Sequence, residues 1–156
     1  MHFEDKFEVN APVEAVWKFV TNPDDFAKII PDLQSYEIID ENQFKASFKI
    51  GLGMIKGTLN MTFKFEDMEP MNRVKVIGRG SGMQSTADLT INLNLQPSDG
   101  KTVVNWSADL NVGGLVASVG ARLLESTTKK KVKEIVEGIR KVIEGKPAKK
   151  TKSNKF

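Results

Sequence analysis

Cysteine is absent from the 156-residue chain, and with it go disulfides, thiolate nucleophiles, Cys-ligated zinc and iron–sulfur clusters. Histidine occurs once, as His2, near the start of the chain, where exposure is the common fate, so neither imidazole catalysis nor a histidine-built metal site is expected. No apolar run reaches the roughly 18 residues of a membrane-spanning helix. The opening Met1-His2-Phe3-Glu4-Asp5-Lys6 lacks the apolar stretch of a secretory signal, which makes a cytoplasmic protein the expectation. A phosphate-binding loop is missing too. Gly78-Arg79-Gly80-Ser81-Gly82 has no Lys-Ser/Thr ending and does not lead into a helix.

What is present is ordinary for one globular domain, with 40% hydrophobic and 28% charged residues on a chain long enough to bury its own core. The net charge of +3 is unevenly placed. After Gly145 come Lys146, Lys149, Lys150, Lys152 and Lys155 without an acid, which leaves residues 1–145 at −2. The expected organisation is therefore a ligand-binding domain over 1–145 and a basic, disordered tail over 146–156. The five tail lysines are candidates for contact with a partner or with an anionic membrane. Nucleic acid is a poor fit, because the body has no basic face or aromatic series to complement the tail.

Strand-like alternation dominates the middle of the chain. Phe3, Asp5, Phe7 and Val9 share one face, with Asp5 the odd acid among them. Val13, Val16, Trp17 and Val20 then recur at helical spacing, and Asn22-Pro23 opens a second short helix that carries Phe26, Ile29 and Ile30 and stops at Pro31. From about 35 to 112, strands follow one another. Phe44, Ala46, Phe48 and Ile50 form one face, Leu59, Met61, Phe63 and Phe65 another, then Leu89, Ile91, Leu93 and Leu95, and lastly Val104, Trp106, Ala108, Leu110 and Val112. Between them Arg73 to Ser81 reads as a strand of ambiguous face. One wet and one buried face joined by short turns means an antiparallel sheet.

That buried face needs a cover, and the proline-free segment from Leu115 to about Glu144 reads as one long helix. Its early apolar positions (Val116, Val119, Leu123, Leu124) and its late ones (Val132, Ile135, Val136, Ile139, Ile143) do not share a stripe. A bend near Ser126-Thr127-Thr128 is expected, or two halves packed on different parts of the body. Glycines at 51, 53 and 57 and at 78, 80 and 82 suit bends in the strands beneath it.

A strand, two short helices, six more strands and a long C-terminal helix is the order of the α+β helix-grip fold, also called Bet v 1-like, START-like or SRPBCC, in which a curved seven-stranded antiparallel sheet wraps the helix. The chain resembles in particular the family named after the G-subunit of carbon monoxide dehydrogenase. The resemblance lies in Ala11-Pro12 before Val16-Trp17, Asn22-Pro23, Ile30-Pro31, the glycine patch from Lys49 to Gly57, Val112-Gly113-Gly114, and Gly120-Ala121-Arg122-Leu123. Pro31-Asp32 departs from the Pro-Gly usual in that family. The resemblance implies an accessory protein of a molybdenum hydroxylase of the carbon monoxide dehydrogenase type. Its implied role is to place the enzyme or its electron output at the inner face of the membrane, holding a quinone-like or other lipid ligand rather than a cofactor.

The inward positions assigned to the cavity wall are Phe7, Trp17, Phe48, Leu52, Met54, Met61, Phe63, Leu93, Trp106, Val119 and Leu123, with Tyr36, Arg79 and Arg122 as polar groups at its rim. Core packing competes with ligand contact at Trp17, Trp106 and Met61. Met54, set with Leu52 and Ile55 among glycines, reads as a pocket mouth or an exposed contact patch. Such a lining holds almost nothing able to move a proton or activate a nucleophile, so binding of a hydrophobic small molecule is expected and catalysis is not. Two alternatives stand beside it. A polyketide cyclase or lyase would need Asp5, Tyr36 or Arg79 inside the cup, and a docking domain would have a solid interior.

Overall fold

Residues 1–145 are described by the computed structural model, and the basic tail lies outside them. In chain order the elements are β1 (His2–Val9), α1 (Val13–Val20), α2 (Pro23–Lys28), β2 (Leu33–Asp40), β3 (Gln43–Leu52), β4 (Ile55–Glu69), β5 (Arg73–Gly82), β6 (Ser85–Ser98), β7 (Lys101–Gly114), a 3-10 turn (Val116–Val119) and α3 (Ala121–Glu144). The sheet order is β1-β7-β6-β5-β4-β3-β2, antiparallel throughout. It is the helix-grip arrangement expected from the sequence.

Local chemistry fixes the corners. Asn22 accepts a hydrogen bond from the Asp25 amide at 3.1 Å, with Pro23 at the first helical position, so α2 starts where its capping residues dictate. It ends at Lys28, earlier than Pro31 alone would require. The fully buried Thr102 donates from Oγ1 to the Ala11 carbonyl at 2.9 Å, which ties the exit of β1 to β7. Pro97-Ser98-Asp99-Gly100 is the turn it reads as, with Asp99 and Gly100 at φ 51° and 80°, the pair of left-handed residues that a two-residue hairpin favours.

The ambiguous strand resolves with Val74, Val76 and Gly78 inward. A Cβ on Gly78 would lie 2.9 Å from the Phe63 ring, and one on Gly80 would run into the Asn60 carbonyl and Met61. These glycines therefore let Phe63 and Met61 of β4 lie over β5, as a tightly curved sheet requires.

The covering helix meets one of its two expectations, since Leu123 and Leu124 pack with Leu52 and Val116 while Ile135, Ile139 and Ile143 pack on the main core. It is not one element from 115 to 144 bent at Ser126–Thr128. The break falls at Gly120 (φ 98°), between the 3-10 turn and α3. Val116 and Val119 belong to the turn, so their phase says nothing about α3. Within α3, Leu124, Thr128, Val132, Ile135 and Ile139 follow at spacings of three and four and form one stripe toward the sheet.

Two apolar clusters plug the cup. Phe26, Phe44, Phe63 and Phe65 pack at one level, with Phe44 and Phe63 stacked at 5.0 Å and Phe26 edge-on to Phe65 at 5.8 Å. Leu52, Val116 and Leu124 form the other.

An apolar cavity as the candidate functional site

Between those clusters the side chains do not meet, and an internal cavity of about 280 Å³ remains. Its walls follow from the alternation. β1 contributes Phe3 and Phe7, β3 contributes Phe48, Ile50 and Leu52, and β4 contributes Leu59, Met61 and Phe63. Leu89, Ile91 and Leu93 come from β6, and Val104, Trp106, Ala108, Leu110 and Val112 from β7. α3 closes the space with Leu124, Val132, Ile135, Val136 and Ile139.

Polar groups are few and mostly occupied. Ser85 Oγ accepts from the Val116 amide at 2.8 Å and donates to the Met83 carbonyl at 3.0 Å. Thr128 Oγ1 donates to the Leu124 carbonyl at 2.7 Å. The ionisable lining residues are Lys49 and Lys131. Lys49 and Thr86 are exposed, so the space reaches the surface. Lys131 Nζ lies 2.8 Å from Asp32 and 3.5 Å from Glu134. The hydrogen bond from Lys131 holds the Asp32 carboxyl below its ordinary range, and the same bond raises the lysine. The ion pair straps α3 to the connection between α2 and β2.

Of the residues assigned to the wall by sequence, Phe7, Phe48, Leu52, Met61, Phe63, Leu93 and Trp106 line the cavity. Trp17 is half-buried and packs against the main core cluster without reaching the cavity wall. Val119 and Leu123 pack against the Leu52–Val116–Leu124 cluster instead. Met54 is 99% exposed, because a two-residue hairpin tip has no interior to turn toward.

The rim assignments fall elsewhere. Tyr36 donates to Asp24 Oδ1 at 2.6 Å, a bond that lowers the Asp24 carboxyl and raises the phenol. Arg79 is 80% exposed and lies 3.6 Å from Asp88 on the neighbouring strand. Arg122 is exposed on the first turn of α3. Asp5, placed inward by alternation, is exposed and accepts from the Lys6 amide at 2.8 Å. It borders a polar surface depression with Asn94 and Asn105, not the apolar cavity. The acid, phenol and guanidinium that cyclase chemistry would have needed are therefore all absent from the lining. Nor, among the described residues, does any group of three or more His, Cys, Asp or Glu side chains come together to hold a metal.

Sequence reasoning did not assign Lys131, Met83 or Ala108 to the cavity, which all three line. Ala108 and its strand neighbours were on an inward face already. Lys131 follows Thr128 by three residues and precedes Ile135 by four, which puts it on the cavity stripe.

Residues 6–144 match the family described as the G-subunit of carbon monoxide dehydrogenase (CoxG). The chain belongs to the CoxG family. No curated protein matches it. Among solved structures, a conserved protein from Geobacillus kaustophilus is 27% identical with a TM-score of 0.85, the match covering 93% of this chain and 96% of that one. A START superfamily protein from Mycobacterium smegmatis (12% identity, TM-score 0.70, 92% and 97% covered) and the Zhui aromatase/cyclase from Streptomyces sp. R1128 (13%, 0.67, 92% and 93%) share the fold. The departure of this CoxG chain from the Pro-Gly pattern has a structural reading. Asp32 sits at φ 59°, a left-handed position that glycine takes freely and Asp tolerates better than most residues.

Proposed function

We propose that the protein binds one hydrophobic molecule, quinone-like or lipid, in the cavity without transforming it, as an accessory to a molybdenum hydroxylase of the carbon monoxide dehydrogenase type. The observation that carries this reading is the apolar cavity itself, left unfilled by a chain that packs an aromatic cluster on one side of it and an aliphatic one on the other. Empty apolar space costs stability in proportion to its volume, so a protein that keeps it has a use for it. Its size bears on the ligand. A cavity of roughly 150 Å³ accepts benzene, so about 280 Å³ takes two fused rings or a comparably short chain. A long tail has to leave through the mouth. Apart from two lysines and four hydroxyls, the lining offers no group able to act as base, nucleophile or metal ligand, and with no His, Asp or Glu in it to activate a hydroxyl it supports carriage over chemistry. The family supports the accessory role, and a peripheral place at the inner face of the membrane goes with it. No helix among the described residues is long and apolar enough to cross a membrane.

Purification without refolding, followed by organic extraction and mass spectrometry, tests the reading. Recovery of a stoichiometric isoprenoid quinone or other apolar molecule is expected. Repeated recovery of none, together with no uptake of a short-chain naphthoquinone added to the protein, would falsify it.

A further inference from the structure

The polar groups of the cavity lining are not scattered evenly. Ser85 and Thr86 lie at the start of β6, whereas Lys49, Thr127, Thr128 and Lys131 come from β3 and one face of α3. The Lys49 amide donates to the Asp32 carbonyl at 3.0 Å, and Lys131 Nζ donates to the Asp32 carboxylate at 2.8 Å. Around Asp32, therefore, β3, α3 and the connection from α2 to β2 come together. Lys49 is exposed and lines the cavity, so the space opens to solvent at this point.

Positive charge is in excess here. Lys131, Lys49 and Lys130 all act on the Asp32 carboxyl, and Glu134, 3.5 Å from Lys131, is the second acid. Three ammoniums face two carboxylates. Donors are in excess too. Among the described residues Lys49 Nζ has neither an ion pair nor a hydrogen bond, and the Thr127 hydroxyl bonds nothing. Lys131 has three N–H groups for its two acids.

Stability does not account for the arrangement. Lys131 stands on the inward stripe of α3, where an apolar side chain would narrow the empty space. Its partner Asp32 is half exposed, and such pairs are worth little to folding. Lys131 lines the cavity yet keeps its ammonium at the mouth, as a long cationic side chain does when its stem borders apolar surface.

We propose that the cavity selects a monoanionic amphiphile, its apolar body inside and a single carboxylate at the mouth on Lys49, Lys131 and Thr127. The proposal rests on the carrier reading and narrows it. A neutral guest with the same body gains nothing from the uncompensated ammonium, and a dianion exceeds it.

Calorimetric titration of the full chain with 2-naphthoate and with its neutral isostere 2-naphthamide tests this. At pH 7 the naphthoate should bind about tenfold tighter or more, with the margin narrowing in salt. Lys49→Gln should shrink the ratio of the two affinities severalfold. Asp32→Asn should enlarge it, because it removes an acid that competes for Lys131; a pair that only braced α3 would not move the ratio in that direction. Equal binding of the two compounds by the parent, or a ratio that neither substitution moves, overturns the proposal and leaves the carrier reading standing. Uptake of a short-chain naphthoquinone but of neither naphthalene compound does the same. Uptake of none of the three overturns the carrier reading, and the proposal falls with it.

Discussion

Lys131 is the cavity's charged neighbour with the most defined geometry, and its pairing with Asp32 sets a pH dependence. Because Lys131 favours the ionised carboxylate, the folded Asp32 titrates below its ordinary value of 3.8. The stabilisation is complete above that value and fades as pH falls through the lower, folded one; the lysine half is lost only as pH rises beyond 10.5 toward its raised value. Asp32 is half exposed, so solvent screening limits the worth of the pair. Asp32→Asn, which keeps a residue tolerant of φ 59°, should lower the unfolding free energy by about 0.5 kcal/mol at pH 7. The loss should shrink below pH 3.8 in urea titrations. An unchanged difference at low pH would place the effect in the backbone.

Ala108 tests the void at the same scale. It lines the cavity from β7, opposite Phe3 and Ile91 in register. Leucine there adds side chain into existing space, so Ala108→Leu should change stability by less than about 1.5 kcal/mol in either direction. Affinity for a short-chain naphthoquinone, followed by fluorescence quenching, should fall by about tenfold or more as its room is taken. Retained affinity would move the ligand elsewhere.

Among the elements, β5 shows how curvature was written into the chain. Gly80→Ala would drive a Cβ into the Asn60 backbone carbonyl, which cannot yield without disturbing the β4–β5 ladder. A loss of more than about 2 kcal/mol is expected in chemical denaturation. Gly51, with nothing within 4 Å of a Cβ, is the control, and Gly51→Ala should cost nothing measurable. Parity between the two would mean that Gly80 is not what lets Met61 lie over the strand.

The strands were legible because period-two alternation survives wherever one face is wet, as in Leu59 to Phe65 and Val104 to Val112. The cap at Asn22 was legible because its chemistry is local. Two features were not. The end of one helical turn and the start of α3 at Gly120 leave only a glycine that a continuous helix also tolerates, so the break was displaced to Ser126–Thr128. Asp5 was sorted by alternation, which does not sense that a strand edge faces water, and of the two readings of Met54 its neighbours could not choose the exposed tip. The candidate site was half legible for the same reason. Seven wall residues sit on regular strands, whereas Trp17, Val119 and Leu123 lie on helical pieces whose inward side depends on docking angle.

For the molecule as a whole, a ligand that binds only the folded state adds its binding free energy to stability. At a free concentration one hundred times Kd the gain is about 2.7 kcal/mol, or roughly 5–10 °C in Tm for a domain of this size. Thermal denaturation with increasing short-chain naphthoquinone should show that rise and should saturate in no other way than with occupancy. A flat Tm would leave the cavity without a resident.

The order of the strands carries one more consequence. β1 and β2 are the two ends of the hydrogen-bonded series, so the wall between them consists of α1, α2 and the flank of α3, held by side chains and by the Lys131–Asp32 pair instead of a backbone ladder. The cup is a sleeve with a seam. Widening along that seam breaks apolar contacts and a few side-chain bonds, such as Lys131 to Asp32 on one flank or Arg140 to the Glu8 carbonyl on the other, but no rung of the sheet, whereas widening anywhere else costs a row of backbone hydrogen bonds. The cup can therefore widen at least cost along that seam, where the strands on either side keep their register.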